Sequence, residues 1–233
     1  MVELVFSPNW FYGKDIGIDA VSIITLLIIT AFSYKLYKVS KEQKSALFTI
    51  GFLSLAVSFT FKIFTNFELY YSTFETQNQG LITFSHSIVK ASNIPFFIGF
   101  IGYRALTFLG LYLLYLVYYG DRTDRLSIAL QAYFLFVALY FTQFSYYVFF
   151  MTNAIFLALI TKKLWNNSAK NNRSQTALSL ATSFSIITAS QILFMFTGMF
   201  PVLYVLGELV QLIGSAMLLW TLALILYHGK KTQ

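Results

Sequence analysis

Six polar side chains stand inside long apolar runs of this chain: Asp19, Lys62, Arg104, Gln191, Glu208 and Gln211. An ionisable group in lipid is costly, so it pairs, faces a polar interior or does work. The natural pairs are Arg104 with Glu208, because a guanidinium grips a carboxylate through two parallel hydrogen bonds, and Lys62 with Asp19. Helical spacing extends each group into a stripe. Glu208, Gln211 and Ser215 share a face, as do Asp19 with Ser22, and Ser58, Lys62 and Thr65. Arg104 and Thr107 share another, continued by Tyr115 and Tyr118. The chemistry such groups offer is recognition of a small polar ligand or a partner's segment. The plainer use is a structural charge pair that fixes helix packing.

Catalytic patterns are missing. His86 and His228 fall at opposite ends of the expected structure, so they cannot share a metal or bracket a haem. The chain has no Cys, which removes disulfides, thiolate metal sites and a thiol nucleophile. It has no H-E-x-x-H, no G-x-S-x-G and no Walker loop. The expectation is a protein that is not an enzyme and needs no cofactor and no metal.

The elements that position these groups must be membrane helices. Of 233 residues, 58% are hydrophobic and only 11% charged, against about 25% charged in a soluble domain. Disorder would need the reverse composition. A spanning helix takes about 20 apolar residues. Seven runs qualify, at about 16–37, 45–65, 94–119, 126–142, 144–164, 176–197 and 201–227. They are continuous rather than alternating, which favours helices over a closed barrel. Fusing the fourth and fifth would give a helix of about 58 Å, roughly twice the hydrocarbon thickness. Thr142-Gln143-Phe144-Ser145 is therefore read as a hairpin. The fold class is an all-α integral membrane protein, one seven-transmembrane-helix bundle over residues 1–233.

Charge orients the bundle. Lys35, Lys38, Lys41, Lys44, Arg122, Arg125, Lys162, Lys163, Lys170, Arg173, Lys230 and Lys231 fall on one side, twelve of the sixteen basic residues. Basic loops stay cytoplasmic, so the N-terminus is expected outside and the C-terminus inside, in a multi-pass protein of the cell membrane. The net charge of +7 then suits anionic inner-leaflet lipid rather than nucleic acid. No cleavable signal peptide is expected at the start, since the first fifteen residues carry Glu3 and Asp15 and no basic n-region. Trp10-Phe11-Tyr12 reads as an outer aromatic belt, and Leu81 to Val89 as a short interfacial helix.

Counted from the inner end of its own run, each of the six polar groups lies 15 to 19 residues up. At 1.5 Å per residue they converge about 22–29 Å above the inner face, in the outer half of the bilayer. Gly99, Gly102 and Gly110 are expected to let the third helix pack closely. Ser179, Ser183, Ser185 and Ser190 read as packing glue on the sixth.

A seven-helix set with its N-terminus outside is similar in topology to the receptors and microbial rhodopsins. Residues 209–227 contain no lysine for a retinal Schiff base. Asp121-Arg122 resembles the acidic-Arg pair of G-protein-coupled receptors, but their Asn-Pro signature and outer cysteines are missing. A faint repeat pairs Ser45-Ala46-Leu47 with Thr176-Ala177-Leu178, and Arg104/Gly110 with Glu208/Gly214. It relates helices 1–3 to helices 5–7 around a linker, as in carriers built from parallel repeats.

Three functions follow. The first is a receptor or sensor that binds a small polar ligand or partner segment at the outer charged layer and signals to a cytoplasmic partner. The second is a small-solute carrier with two three-helix halves and a water path through Ser183, Ser215, Tyr115 and Tyr118. The third is a non-catalytic subunit or scaffold of a larger membrane complex.

Overall fold

The computed structural model describes residues 8–77, 94–120, 125–142, 144–170 and 175–231. A single 3-10 turn, Asn9–Phe11, precedes α1 (Lys14–Ser40), α2 (Gln43–Gln77), α3 (Ile94–Tyr119), α4 (Arg125–Phe141), α5 (Tyr146–Lys170), α6 (Gln175–Met195) and α7 (Val202–Lys231). Six helices are long and apolar enough to cross a membrane, α2 through its Gln43–Glu68 portion. The chain is a polytopic membrane protein in contact with lipid. α4 has 17 residues, and its apolar stretch, Ile128–Phe141, falls short of that length.

The fourth and fifth helices are separate, broken between Phe141 and Tyr146. α2 is much longer than its apolar run. Nothing between Asn66 and Gln77 is Gly or Pro, so leaving the apolar layer does not end the helix. The expected interfacial helix at Leu81–Val89 lies outside the described residues, as do His86 and Asp121-Arg122.

Polarity is inverted relative to a soluble bundle. On α1 the buried face carries Asp15, Asp19, Ser22, Thr25 or Leu26, Ile29 and Ser33, at steps of three or four residues. Val21, Ile24, Leu36 and Val39 point outward. With lipid outside, apolar side chains gain nothing by burial, so helices associate through close packing and polar contacts.

The helices form a ring in the order α1, α2, α3, α5, α6, α7 and back to α1, with α4 set against α3 and α5. Side-chain partners fix their directions. Along α1 and α7 numbering rises together, from Asp15–Tyr204 to Ser22–Ser215, so these run parallel. α3 and α5 are also parallel, from Tyr103–Phe149 to Tyr112–Phe156. α4 runs antiparallel to α3: Tyr112 donates to the Ile128 carbonyl and Arg104 to that of Thr142. Within the six-helix ring, exchanging α1–α3 with α5–α7 leaves the order of neighbours unchanged, while α4 sits against α3 and α5 alone. The end of the ring at Lys14 is termed outer. Lys35, Lys38, Lys41, Lys44, Lys162 and Lys163 all belong to the opposite, inner end.

Glycine sets the closest approach. A Cβ on Gly110 would come 2.9 Å from the Gly51 carbonyl oxygen and 2.7 Å from Leu55. Gly99 and Gly102 lie against Thr65 and Phe61 in the same α2–α3 seam. Gly214, the repeat counterpart of Gly110, abuts Ile187 of α6. Below the polar layer the interior is apolar, with Phe52, Leu114, Phe184 and Leu218 and, further in, Ile160, Leu164 and Ala181.

Candidate functional site

Lys62 organises the outer half. Its ammonium lies 2.8 Å from Asp19 Oδ1 and 2.7 Å from Glu208 Oε1. One lysine therefore ties together α1, α2 and α7. Both acids are wholly buried, and the Phe59 ring stands 5.6 Å from the ammonium. Lys62 and Asp19 meet as their sequence positions suggested. Glu208 does not meet Arg104, because the third-helix arginine points to a different wall.

The Arg104 guanidinium lies 3.8 Å from the centroid of Phe100 and 5.3 Å from that of Phe149. It donates to the Thr142 carbonyl at the end of α4. The last carbonyls of a helix carry no intrahelical partner and a partial negative charge. Arg104 thus caps α4, and no carboxylate pairs with it among the described residues.

A second polar layer sits one turn further out. Asn66 donates to Asp15 Oδ2 at 3.1 Å, and Tyr204 to the same oxygen at 3.5 Å. These residues lie four positions from Lys62, Asp19 and Glu208 respectively, on the same helix faces. At the outer rim, burial and then the charge of Asp15 push the Tyr12 hydroxyl above its ordinary pKa. Of the expected aromatic belt only Trp10 is well exposed. Phe11 packs inward with Phe194, Tyr204 and Val205, because the 3-10 turn folds it over the end of the bundle.

Gln191 and Gln211 come together a turn inward of Glu208. Gln191 Nε2 is 3.3 Å from Gln211 Oε1, and Asn153 donates to Gln191 Oε1 at 3.4 Å. Ser22 and Ser215 face each other at 3.5 Å. Four buried polar atoms have no partner here: Asp19 Oδ2, Glu208 Oε2, Asn153 Oδ1 and Gln211 Nε2. Buried polar atoms are seldom left so, and all four belong to residues of these axial layers.

Three of the four residues border a cavity, Glu208 an outer one and Asn153 and Gln211 an inner one, while Asp19 lines neither. The outer one, about 90 Å³, is lined by Lys62, Asn66, Arg104, Tyr204 and Glu208 with a wall of Phe96, Phe100, Phe149 and Phe194. The second, about 80 Å³, lies below it between all six ring helices; its wall is mostly apolar, with Phe52, Leu114, Phe184 and Leu218, and carries Asn153, Gln191, Gln211 and Ser215 at polar positions. Tyr103 lines both and divides them. Of the path expected through Ser183, Ser215, Tyr115 and Tyr118, only Ser215 lines the second cavity. Ser183 bonds back to the Ser179 carbonyl, and both tyrosines pack on the apolar core.

Sequence reasoning missed Asp15, Asn66, Tyr204, Tyr103 and Asn153. The first three had a signal in the four-residue spacing. Among the described residues no group of His, Cys, Asp or Glu forms a metal site. No protein family, no curated protein and no solved structure matches the chain.

Proposed function

We propose that this chain is a non-enzymatic, receptor-like membrane protein that binds a small polar ligand in the outer cavity. The observation that carries this reading is a cavity whose wall holds Lys62, Arg104 and Glu208, with Glu208 Oε2 buried and unpartnered. A purely structural charge cluster has no use for a cavity beside it. The apolar fill below the second cavity favours a site entered from the outer end over an open path. In this reading α4 is the seventh crossing, returning the chain between the parallel α3 and α5. The basic inner end faces the cytoplasm, where the output partner docks.

A carrier is the second reading. It is favoured by the stacking of two cavities across Tyr103 and by the interchangeable three-helix halves, an arrangement used by repeat-built transporters. The test is thermal unfolding of the purified chain in nanodiscs against a panel of polar metabolites. A ligand that binds only the folded state raises the melting temperature. Uptake of that ligand into liposomes would make the protein a carrier, and binding without uptake supports the receptor. If no compound stabilises the protein, the binding reading fails and a scaffold role gains.

A further inference from the structure

We infer that the outer cavity is built for a small zwitterion of the amino-acid type, its carboxylate on Arg104 and its ammonium beside Glu208. The inference rests on the reading of this cavity as a ligand site and adds the ligand's charge pattern.

Arg104 is 6% exposed and carries five N–H donors. One hydrogen bond, to the Thr142 carbonyl, is formed. Phe100 and Phe149 lie over the guanidinium, so its remaining polar contacts must come through its edge. That edge is where a carboxylate binds through two parallel hydrogen bonds. The aromatic wall keeps water away, which strengthens a charge-assisted contact. Arg104 thus presents one positive charge that no acid of the described residues balances.

The opposite wall has the opposite surplus. Asp19 and Glu208 are two acids around the single ammonium of Lys62. Each uses one oxygen on Lys62, and Asp19 Oδ2 and Glu208 Oε2 are left without a partner. Asp15, one turn outward, is engaged with Asn66 and Tyr204. The four charges Asp19, Lys62, Arg104 and Glu208 sum to zero, but Arg104 stands apart from the other three; Lys62 and Glu208 line the cavity, and Asp19 stands behind Lys62. A simple anion would satisfy Arg104 and leave the triad's surplus, and a simple cation would do the reverse. A zwitterion satisfies both. The cavity, about 90 Å³, is large enough for more than one water and suits a ligand no larger than a small amino acid.

The full-length protein in nanodiscs is titrated at matched ionic strength with glycine, alanine, acetate, ethylammonium and glycerol, following melting temperature and calorimetric heat. The zwitterions are expected to stabilise the wild type most and acetate or ethylammonium less. Arg104→Gln should weaken zwitterion and acetate binding at least about tenfold, as loss of a charged hydrogen-bond partner does. Glu208→Gln should weaken the zwitterions and leave acetate unchanged. Should Arg104→Gln fail to fold, the wild-type series decides without it, and Arg104→Lys replaces it. Glycerol or ethylammonium binding as well as glycine would overturn the zwitterion while leaving a polar-ligand site. No response to any compound would overturn both readings.

Discussion

Along α7 the residues facing the axis pass from Tyr204, Glu208 and Gln211 in the outer half to Leu218 in the inner half. α2 makes the same change from Asn66 and Lys62 to Leu55 and Phe52, and α6 from Gln191 to Phe184. The same helices are therefore joined in two ways. Outside, three of them share one lysine and its two acids. Inside, they touch through the Gly51–Gly110 contact and interlocking apolar side chains. In lipid, burial alone gives little preference for one helix arrangement. The outer half gains its preference from charges that must find partners, and the inner half from shape. The outer arrangement leaves polar atoms of Glu208, Asn153 and Gln211 over beside the cavities.

The largest expected effect breaks the outer half. Lys62→Met leaves Asp19 and Glu208 buried with no counter-charge, and removing one partner of a buried ion pair costs about 3–5 kcal/mol. The triple variant Lys62→Met, Asp19→Asn, Glu208→Gln should recover most of that loss, since no buried charge then remains. Reversible unfolding in mixed micelles measures both. A change under about 0.5 kcal/mol for the single variant, the size of an ordinary surface substitution, would show that the triad does not hold the outer half.

A smaller effect breaks the inner half. Gly110→Ala places a Cβ 2.9 Å from a backbone oxygen of α2, and backbone cannot swing aside as a side-chain tip can. Overpacking of this kind costs about 1–3 kcal/mol. The comparison predicts more than a lower melting temperature. Any ligand response of the outer cavity should persist at a temperature where the variant is folded, because no polar group moves. Loss of ligand response in folded Gly110→Ala would mean that the two halves are coupled.

How far the sequence disclosed this arrangement differs between the halves. The helices and the depth of the polar layer were legible, because apolar run length and residue counts along a helix are one-dimensional quantities. Lys62 with Asp19 was legible for the same reason, adjacent antiparallel helices carrying groups at one depth. Arg104 was placed at the right depth and given the wrong partner. Depth says nothing of direction around the ring, and the carbonyl it caps belongs to a helix end, which no side-chain pattern advertises. Asp15, Asn66 and Tyr204 carry a legible signal too, each one turn from Asp19, Lys62 or Glu208 on the same helix face. The fill of the inner half was not legible, since its leucines and phenylalanines look like the lipid-facing ones in every respect but their position on the ring.

The smallest expected effect sharpens the comparison by testing a polar contact on the wrong side of it. Ser179 and Thr221 face each other across α6 and α7 at 2.6 Å, inward of both glutamines. Thr221 is 2% exposed and also bonds to the Met217 carbonyl of its own helix at 2.8 Å. Valine has nearly the shape of threonine, so Thr221→Val removes the hydroxyl and leaves the packing. If the inner half is held by shape, the loss is about 0.6 kcal/mol, the average for a hydrogen bond between membrane helices, because the carbonyl keeps its helical donor and Ser179 can turn to its own backbone. A loss above about 2 kcal/mol in the same unfolding assay would exceed what such bonds reach. The inner half would then depend on polar contacts as the outer half does, and the division of labour between them would fall.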